Sequence, residues 1–253
     1  MADFSLAGRK AVVTGGSRGL GLHFAQVLAA AGADVALLAR GKDGLEKAAA
    51  GIGKTGRRAV AVSCDVTQPA SVRDAFAAAE RTLGPIDILV NNAGIAIAKP
   101  VLEHSEADWN RVLDTNLKGA WLCAREFAAR AIPAGCPGRI VNIASLIAFR
   151  TARQVPSYAA AKGGLVTLTH TLAMEWARNG ITVNALAPGY FETDLNREFL
   201  RSEAGRALLA RIPLGPSQPA VLDGALLLLV SPAGAYITGA VIPVDGGHGV
   251  AAL

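Results

Sequence analysis

The chain has little of what marks the specialised protein classes. Only 3 of its 253 residues are cysteine, Cys64, Cys123 and Cys136, an odd number with neither CxxC nor His-paired spacing. That excludes a disulfide framework and a zinc site, and each thiol is expected to pack as a small hydrophobe. His23, His104, His170 and His248 share no helix face, so no metal site is expected. Charged residues make up only 18% of the chain against 51% hydrophobic, a balance that excludes a disordered chain. Nowhere do about 18 apolar residues run uninterrupted, and Met1–Lys10 lacks the apolar stretch of a signal peptide, so a soluble cytoplasmic protein without membrane contact is expected. Basic residues do not cluster beyond Arg57-Arg58. The net charge of +5 therefore suits a small anionic ligand better than a nucleic-acid track.

Glycine, in contrast, is plentiful: 28 residues, about 11% against a usual ~7%, which points to tight turns or close backbone approaches. Short β-rich runs alternate with Ala/Leu-rich helical stretches along the whole length, with no composition break that would mark a linker. The alternation predicts an α/β fold with a parallel sheet and crossover helices. Candidate strands are Lys10–Thr14, Asp34–Ala39, Arg58–Ser63, Ile86–Asn91, Arg139–Ala144, Ile181–Ala187 and Ile237–Val244. Several are continuous apolar runs, as strands covered on both faces are. Candidate helices are Leu20–Ala31, Gly41–Ile52, Ala70–Leu83, Glu106–Ala131, Ser157–Arg178 and Ala220–Val230. Ser105, with Asp108 three residues on, reads as an acidic capping box that starts the fourth of these. The stretch from Pro188 to Pro219 is too long for an ordinary connection and is expected to be a substrate lid.

Thr14-Gly-Gly-Ser-Arg-Gly-Leu-Gly21 follows the first strand and opens the first helix, where a helix N-terminus receives phosphate. Its glycines at 15, 19 and 21 have GxxxGxG spacing, a variant of the dinucleotide fingerprint. Gly15 allows a sharp exit from the strand, Gly19 an approach of pyrophosphate to bare backbone, and Gly21 close packing of helix on sheet. A dinucleotide site with NAD specificity has an acid about 20 residues further on. Here the second strand ends Leu37-Leu38-Ala39-Arg40, with no carboxylate before Asp43. Arg40, together with Arg18 in the turn, favours the 2′-phosphate of NADP (NADPH) over NAD.

A second constellation follows. Tyr158 and Lys162 lie four apart on one helix face, and Ser145 ends a buried strand at the carboxyl edge where open α/β sheets place ligands. A hydride leaving nicotinamide for a carbonyl carbon builds negative charge on oxygen, which calls for a proton donor and a polarising hydrogen bond. Tyr158 suits the donor role and Ser145 the hydrogen bond. Lys162 favours the phenolate, and Asn116 is placed to hold a water that relays the proton.

With Thr14–Gly21, Asn91-Asn-Ala-Gly94, Asn116, Ser145, Tyr158-Ala-Ala-Ala-Lys162 and Pro188-Gly189 in this order, the chain resembles the classical short-chain dehydrogenase/reductase family over nearly its whole length. The resemblance implies a single Rossmann-like, doubly wound domain over residues 1–253, with a seven-stranded parallel sheet and a substrate lid at 188–219. It implies Asn116, Ser145, Tyr158 and Lys162 as the catalytic set. The implied cofactor set is Gly15, Ser17, Arg18, Gly19, Leu20, Gly21, Arg40, Asp65, Val66, Asn92, Ala93, Gly94, Tyr158, Lys162, Pro188, Gly189 and Thr193. Asp65 is matched to the adenine and Thr193 to the carboxamide. A homotetramer is implied as well.

Gly189-Tyr-Phe-Glu-Thr-Asp-Leu195 is similar to the corresponding stretch of gluconate 5-dehydrogenase-like members, so the expected substrate is a ketone or secondary alcohol on a keto-sugar acid or polyol. Alternatives are a 3-oxoacyl thioester reductase, a non-catalytic NADP(H)-sensing protein, and an epimerase or dehydratase. In the lid, Tyr190, Phe191, Leu195, Phe199 and Leu200 stand beside Arg197, Glu198 and Arg201, an amphipathic set that can exclude water. Arg150 and Arg153, between Ser145 and Tyr158, either meet a substrate carboxylate or lie at the surface. Ser217-Gln-Pro219 lacks the acid common near the start of the last long helix, which leaves that helix without an obvious cap.

Overall fold

The computed structural model describes residues 2–193 and 196–251. Seven strands form one parallel sheet: β1 (Lys10–Thr14), β2 (Asp34–Ala39), β3 (Ala59–Ser63), β4 (Ile88–Asn91), β5 (Gly138–Ile143), β6 (Ile181–Pro188) and β7 (Val241–Val244). Their order is β3-β2-β1-β4-β5-β6-β7. The chain reverses its direction of travel between β1 and β4, and at such a switch point the strand ends part to leave a ligand crevice. The helices are α1 (Gly19–Ala30), α2 (Lys42–Gly53), α3 (Pro69–Leu83), α4 (Glu106–Leu113), α5 (Gly119–Ala131), α6 (Pro156–Trp176), α7 (Arg197–Arg201), α8 (Glu203–Leu209) and α9 (Asp223–Val230). They cover both faces of the sheet. Phe76, Phe127, Leu89 and Ile140 pack in the core on one face, and Phe24, Leu28, Leu45 and Leu226 on the other. Each such side chain contributes about 1.5–3 kcal/mol of burial, which makes these two layers the rigid floor of the site.

The expected elements form, with four differences of physical origin. The single helix expected over Glu106–Ala131 is interrupted by a π-helical turn at Asp114–Lys118. Its start is as expected: Ser105 and Asp108 exchange both capping bonds, and Lys99 Nζ donates to Asp108 at 2.7 Å. The last strand begins at Val241 rather than Ile237, because Asn184 takes over the ladder there. Its Nδ2 donates to the Ile237 carbonyl at 2.8 Å and its Oδ1 accepts from the Ala240 N–H at 2.9 Å, while Gly239 turns left-handed (φ +74°). The last long helix is a 3₁₀ turn over Pro219–Leu222 that becomes α only at Asp223, with no side-chain cap. The Pro188–Pro219 stretch is not a bare loop but carries α7 and α8, the latter capped by Ser202.

Candidate active site

A cleft of about 950 Å³ opens along the carboxyl ends of β1 to β6. Every expected site residue borders it except Asn116. At one end the glycine turn presents the start of α1. Gly15 and Gly19 are left-handed, with φ +66° and +56°, as only glycine adopts without strain. The closest neighbour of a Cβ added at Gly19 is the Thr193 side chain at 3.9 Å, so the backbone there is open to a ligand. Gly21 is fixed by packing: a Cβ would lie 2.2 Å from the Gly15 carbonyl and 2.4 Å from Asn92 Nδ2. It seats the helix on the turn itself rather than on the sheet. The first turn of α1 has no acid and no side-chain cap, and its N–H groups therefore face the cleft as a site for a diphosphate.

The floor is pinned by hydrogen bonds that run across β1 and β4. Thr14 Oγ1 accepts from the N–H groups of Asn92 and Ala93, both at 3.0 Å, and Asn92 Nδ2 donates to the Thr14 carbonyl at 2.9 Å. Exposed Arg40 and Arg18 border the same end, a positive rim suited to a further phosphate. Asp65 closes a local turn, its Oδ1 accepting from Thr67 N–H at 3.0 Å and Thr67 Oγ1 at 2.8 Å. Uncapped amides, open glycine backbone and guanidinium groups together fit a phosphorylated dinucleotide.

Ser145, Tyr158 and Lys162 converge at the other end. Lys162 is buried on α6; its Nζ donates to the Ile143 carbonyl at 2.6 Å and lies 5.6 Å from the centre of the Tyr158 ring. Burial drops its pKa to about 8. Burial pushes the Tyr158 phenol up, a hydrogen bond with Ser145 pulls it down, and neighbouring Tyr190 pushes it up again. The chain by itself thus keeps Tyr158 protonated, the form that donates to a carbonyl oxygen. Ser145 Oγ also accepts from the Ile147 N–H at 3.2 Å.

Asn116 lies in the π-helical turn, is 1% exposed, and does not border the cleft. Its Oδ1 accepts from the Ile95 N–H at 2.8 Å and its Nδ2 donates to the Ile95 carbonyl at 2.9 Å. That hook fixes the backbone beside Gly94, where a Cβ would stand 3.4 Å from Asn116 Oδ1. The amide is thus committed to Ile95 and leaves one N–H for the expected water. Arg111 at the end of α4 and Asp114 and Thr115 in the turn line the cleft wall, residues the sequence did not single out.

The lid contributes Phe191, Thr193 and Asn196 to the wall. Asn196 Oδ1 accepts from the Thr193 N–H at 2.8 Å, and its Nδ2 donates to the Phe191 carbonyl at 2.9 Å. Asn196 was not singled out in the sequence, where only the turn-forming chemistry of asparagine signals it. Arg197 and Arg201 pair with Glu192, at 3.1 and 2.7 Å, and Phe191 and Leu200 are buried while Phe199 stays exposed. Asp194 and Leu195 lie outside the described residues. Of the two arginines after Ser145, Arg153 is at the surface and Arg150 is tied to the carboxyl end of the chain.

Residues 9–204 match the short chain dehydrogenase family. The chain is 40% identical over 246 residues to gluconate 5-dehydrogenase of Gluconobacter oxydans (strain 621H), covering 96% of each. It is 38% identical over 252 residues to 2-dehydro-3-deoxy-D-gluconate 5-dehydrogenase of Escherichia coli (strain K12), covering 98% of each. Its fold is similar to the crystal structure of a gluconate 5-dehydrogenase from Burkholderia cenocepacia J2315 in complex with NADP and tartrate, with TM-score 0.95, 38% identity and 99% of each chain covered. The chain belongs to the short chain dehydrogenase family.

Proposed function

We propose that this protein is an NADP(H)-dependent oxidoreductase that interconverts a ketone and a secondary alcohol, with a keto-sugar acid or polyol as substrate. The observation that carries the reading is the convergence of Ser145, Tyr158 and Lys162 in the cleft that also holds the uncapped start of α1. The dinucleotide supplies or takes the hydride. Ser145 holds the substrate oxygen, Tyr158 gives it a proton in reduction and takes one in oxidation, and Lys162 supplies positive charge beside the phenol. Asn116 fixes the Ile95 backbone next to the floor glycine. The sugar-acid preference is supported by the gluconate and deoxygluconate dehydrogenases among the relatives. We further infer one domain, built on the single sheet, and a homotetramer. The groove of Leu113, Leu117, Trp121 and Leu168 between α4, α5 and α6 supports association through those helices. Unpaired Cys64, Cys123 and Cys136 agree with the reducing cytoplasm. Among the described residues no helix is long and apolar enough to cross a membrane.

The test is a screen of keto-sugar acids, neutral ketoses, acyl thioesters and cyclic ketones that follows NADPH absorbance, with NADH in parallel. A keto-sugar acid should be reduced, with NADPH preferred. Thioester reduction in its place would favour the 3-oxoacyl reading, and a clear NADH preference would overturn the cofactor assignment. Arg40→Asp should weaken NADPH binding about 10- to 100-fold, the size of a lost charge-assisted bond plus repulsion, and bring the two cofactors to parity or beyond.

A further inference from the structure

Thr193 and Asn196 both border the cleft, and the Thr193 side chain is what a Cβ added at Gly19 would meet first, at 3.9 Å. The lid therefore reaches the glycine turn through Thr193. Its main chain has nothing left to offer a ligand there. The Thr193 N–H donates to Asn196 Oδ1 at 2.8 Å, and its carbonyl accepts from the N–H groups of Asn196 at 3.1 Å and Arg197 at 2.9 Å. Only the hydroxyl remains, with one proton to give and two lone pairs to receive.

Asn196 decides where that proton goes. Two main-chain groups fix which way round its amide sits: the Phe191 carbonyl, 2.9 Å away, requires Nδ2, and the Thr193 N–H requires Oδ1. Oδ1 can only accept, so the Thr193 hydroxyl, 3.3 Å from it, donates to Asn196 and turns its lone pairs to the cleft. A diphosphate offers acceptors alone and gains nothing from such a hydroxyl, whereas the carboxamide of a nicotinamide ring carries N–H groups that it can receive. We propose that Asn196 is a positioning residue that makes Thr193 an acceptor and so selects the carboxamide end of the dinucleotide. The assignment rests on the NADP(H) reading above and on the matching of Thr193 to the carboxamide. At 3.3 Å the hydroxyl bond is long against a usual limit near ~3.0 Å, so the expected effect is nearer fivefold than a hundredfold.

Dissociation constants of NADP+ and of its 3-acetylpyridine analogue, in which a methyl ketone replaces the carboxamide and leaves no N–H, are measured by calorimetry. Wild type, Asn196→Ala, Asn196→Asp and Thr193→Val are compared, and thermal unfolding without cofactor checks that each is folded. The quantity read is the preference for NADP+ over the analogue. It should fall about fivefold in Asn196→Ala and about tenfold in Thr193→Val, the size of one misdirected or lost hydrogen bond. Asn196→Asp keeps an accepting oxygen on Thr193 and should hold the preference within about twofold of wild type, because its added charge acts on both cofactors alike. Equal weakening of the two cofactors by Asn196→Ala would reduce Asn196 to a fastener of the lid and overturn the proposal. A preference that Thr193→Val also leaves untouched would overturn the carboxamide assignment with it. A wild type that binds neither cofactor would overturn the NADP(H) reading instead.

Discussion

Tyr158→Phe should lower ketone reduction about 10³-fold or more while leaving the NADPH dissociation constant within about threefold of wild type. The variant removes one oxygen and keeps the ring that lies under Lys162, 5.6 Å from Nζ, so the cavity and the α6 packing survive. What is lost is the proton donor at the substrate oxygen, a group worth about 10²–10⁴ in rate. The upper part of that range applies here. Burial keeps the phenol in the protonated form that donates. Stopped-flow reduction paired with a fluorescence titration of NADPH separates the two quantities. A non-catalytic NADP(H) sensor shows no turnover in wild type, so the substitution has nothing to remove. An epimerase or dehydratase loses product formation without any net NADPH consumption to begin with. A wild-type rate retained in Tyr158→Phe would shift the proton donor to another group and dismantle the catalytic set.

Most of the fold and the outline of the site were legible in the sequence, because both rest on local signals. Continuous apolar strands and amphipathic helices alternate, and the glycine turn and the Tyr158–Lys162 spacing are each set within a few residues. What escaped depends on contacts between distant segments. The π-helical turn at Asp114–Lys118 leaves no mark in periodicity; it is held by Asn116 reaching back 21 residues to Ile95. The shortened last strand reflects the Asn184 side chain taking bonds from a segment more than 50 residues away. Gly21 was read as a helix-on-sheet contact, yet it faces the Gly15 carbonyl and Asn92, since only the assembled floor brings Asn92 there. Arg150 carried two readings in the sequence, and its partners, the carbonyls of His248 and Ala251, lie about a hundred residues on.

Lys162→Met should cut turnover about 10²-fold or more and also change how stability depends on pH. The ammonium is buried, donates to Ile143 at 2.6 Å, and has its pKa lowered from 10.5 to about 8 by desolvation. Below pH 8 the folded and unfolded chains both carry the proton, and the folded protein bears the full cost of a charge taken out of water. Between pH 8 and 10.5 the unfolded chain still holds a proton that the folded chain has released, so wild-type stability rises with pH through that window, by about 3 kcal/mol in all. Above it the contribution is constant. Denaturant unfolding of wild type and Lys162→Met at matched pH isolates this group together with the Tyr158 phenol it acts on, because the titrations that do not touch Lys162 cancel in the difference. That difference should grow by about 3 kcal/mol in favour of wild type from pH 7.5 to 10.5; a flat difference would mean that Nζ is solvated. Activity should move the opposite way: at pH 7 about nine in ten Lys162 side chains are charged, and reduction should fall above pH 8 as that charge is lost from beside the phenol. The protein would then be least stable in the pH range where its lysine is best able to act, the trade expected of a charge kept in a dry site for chemistry.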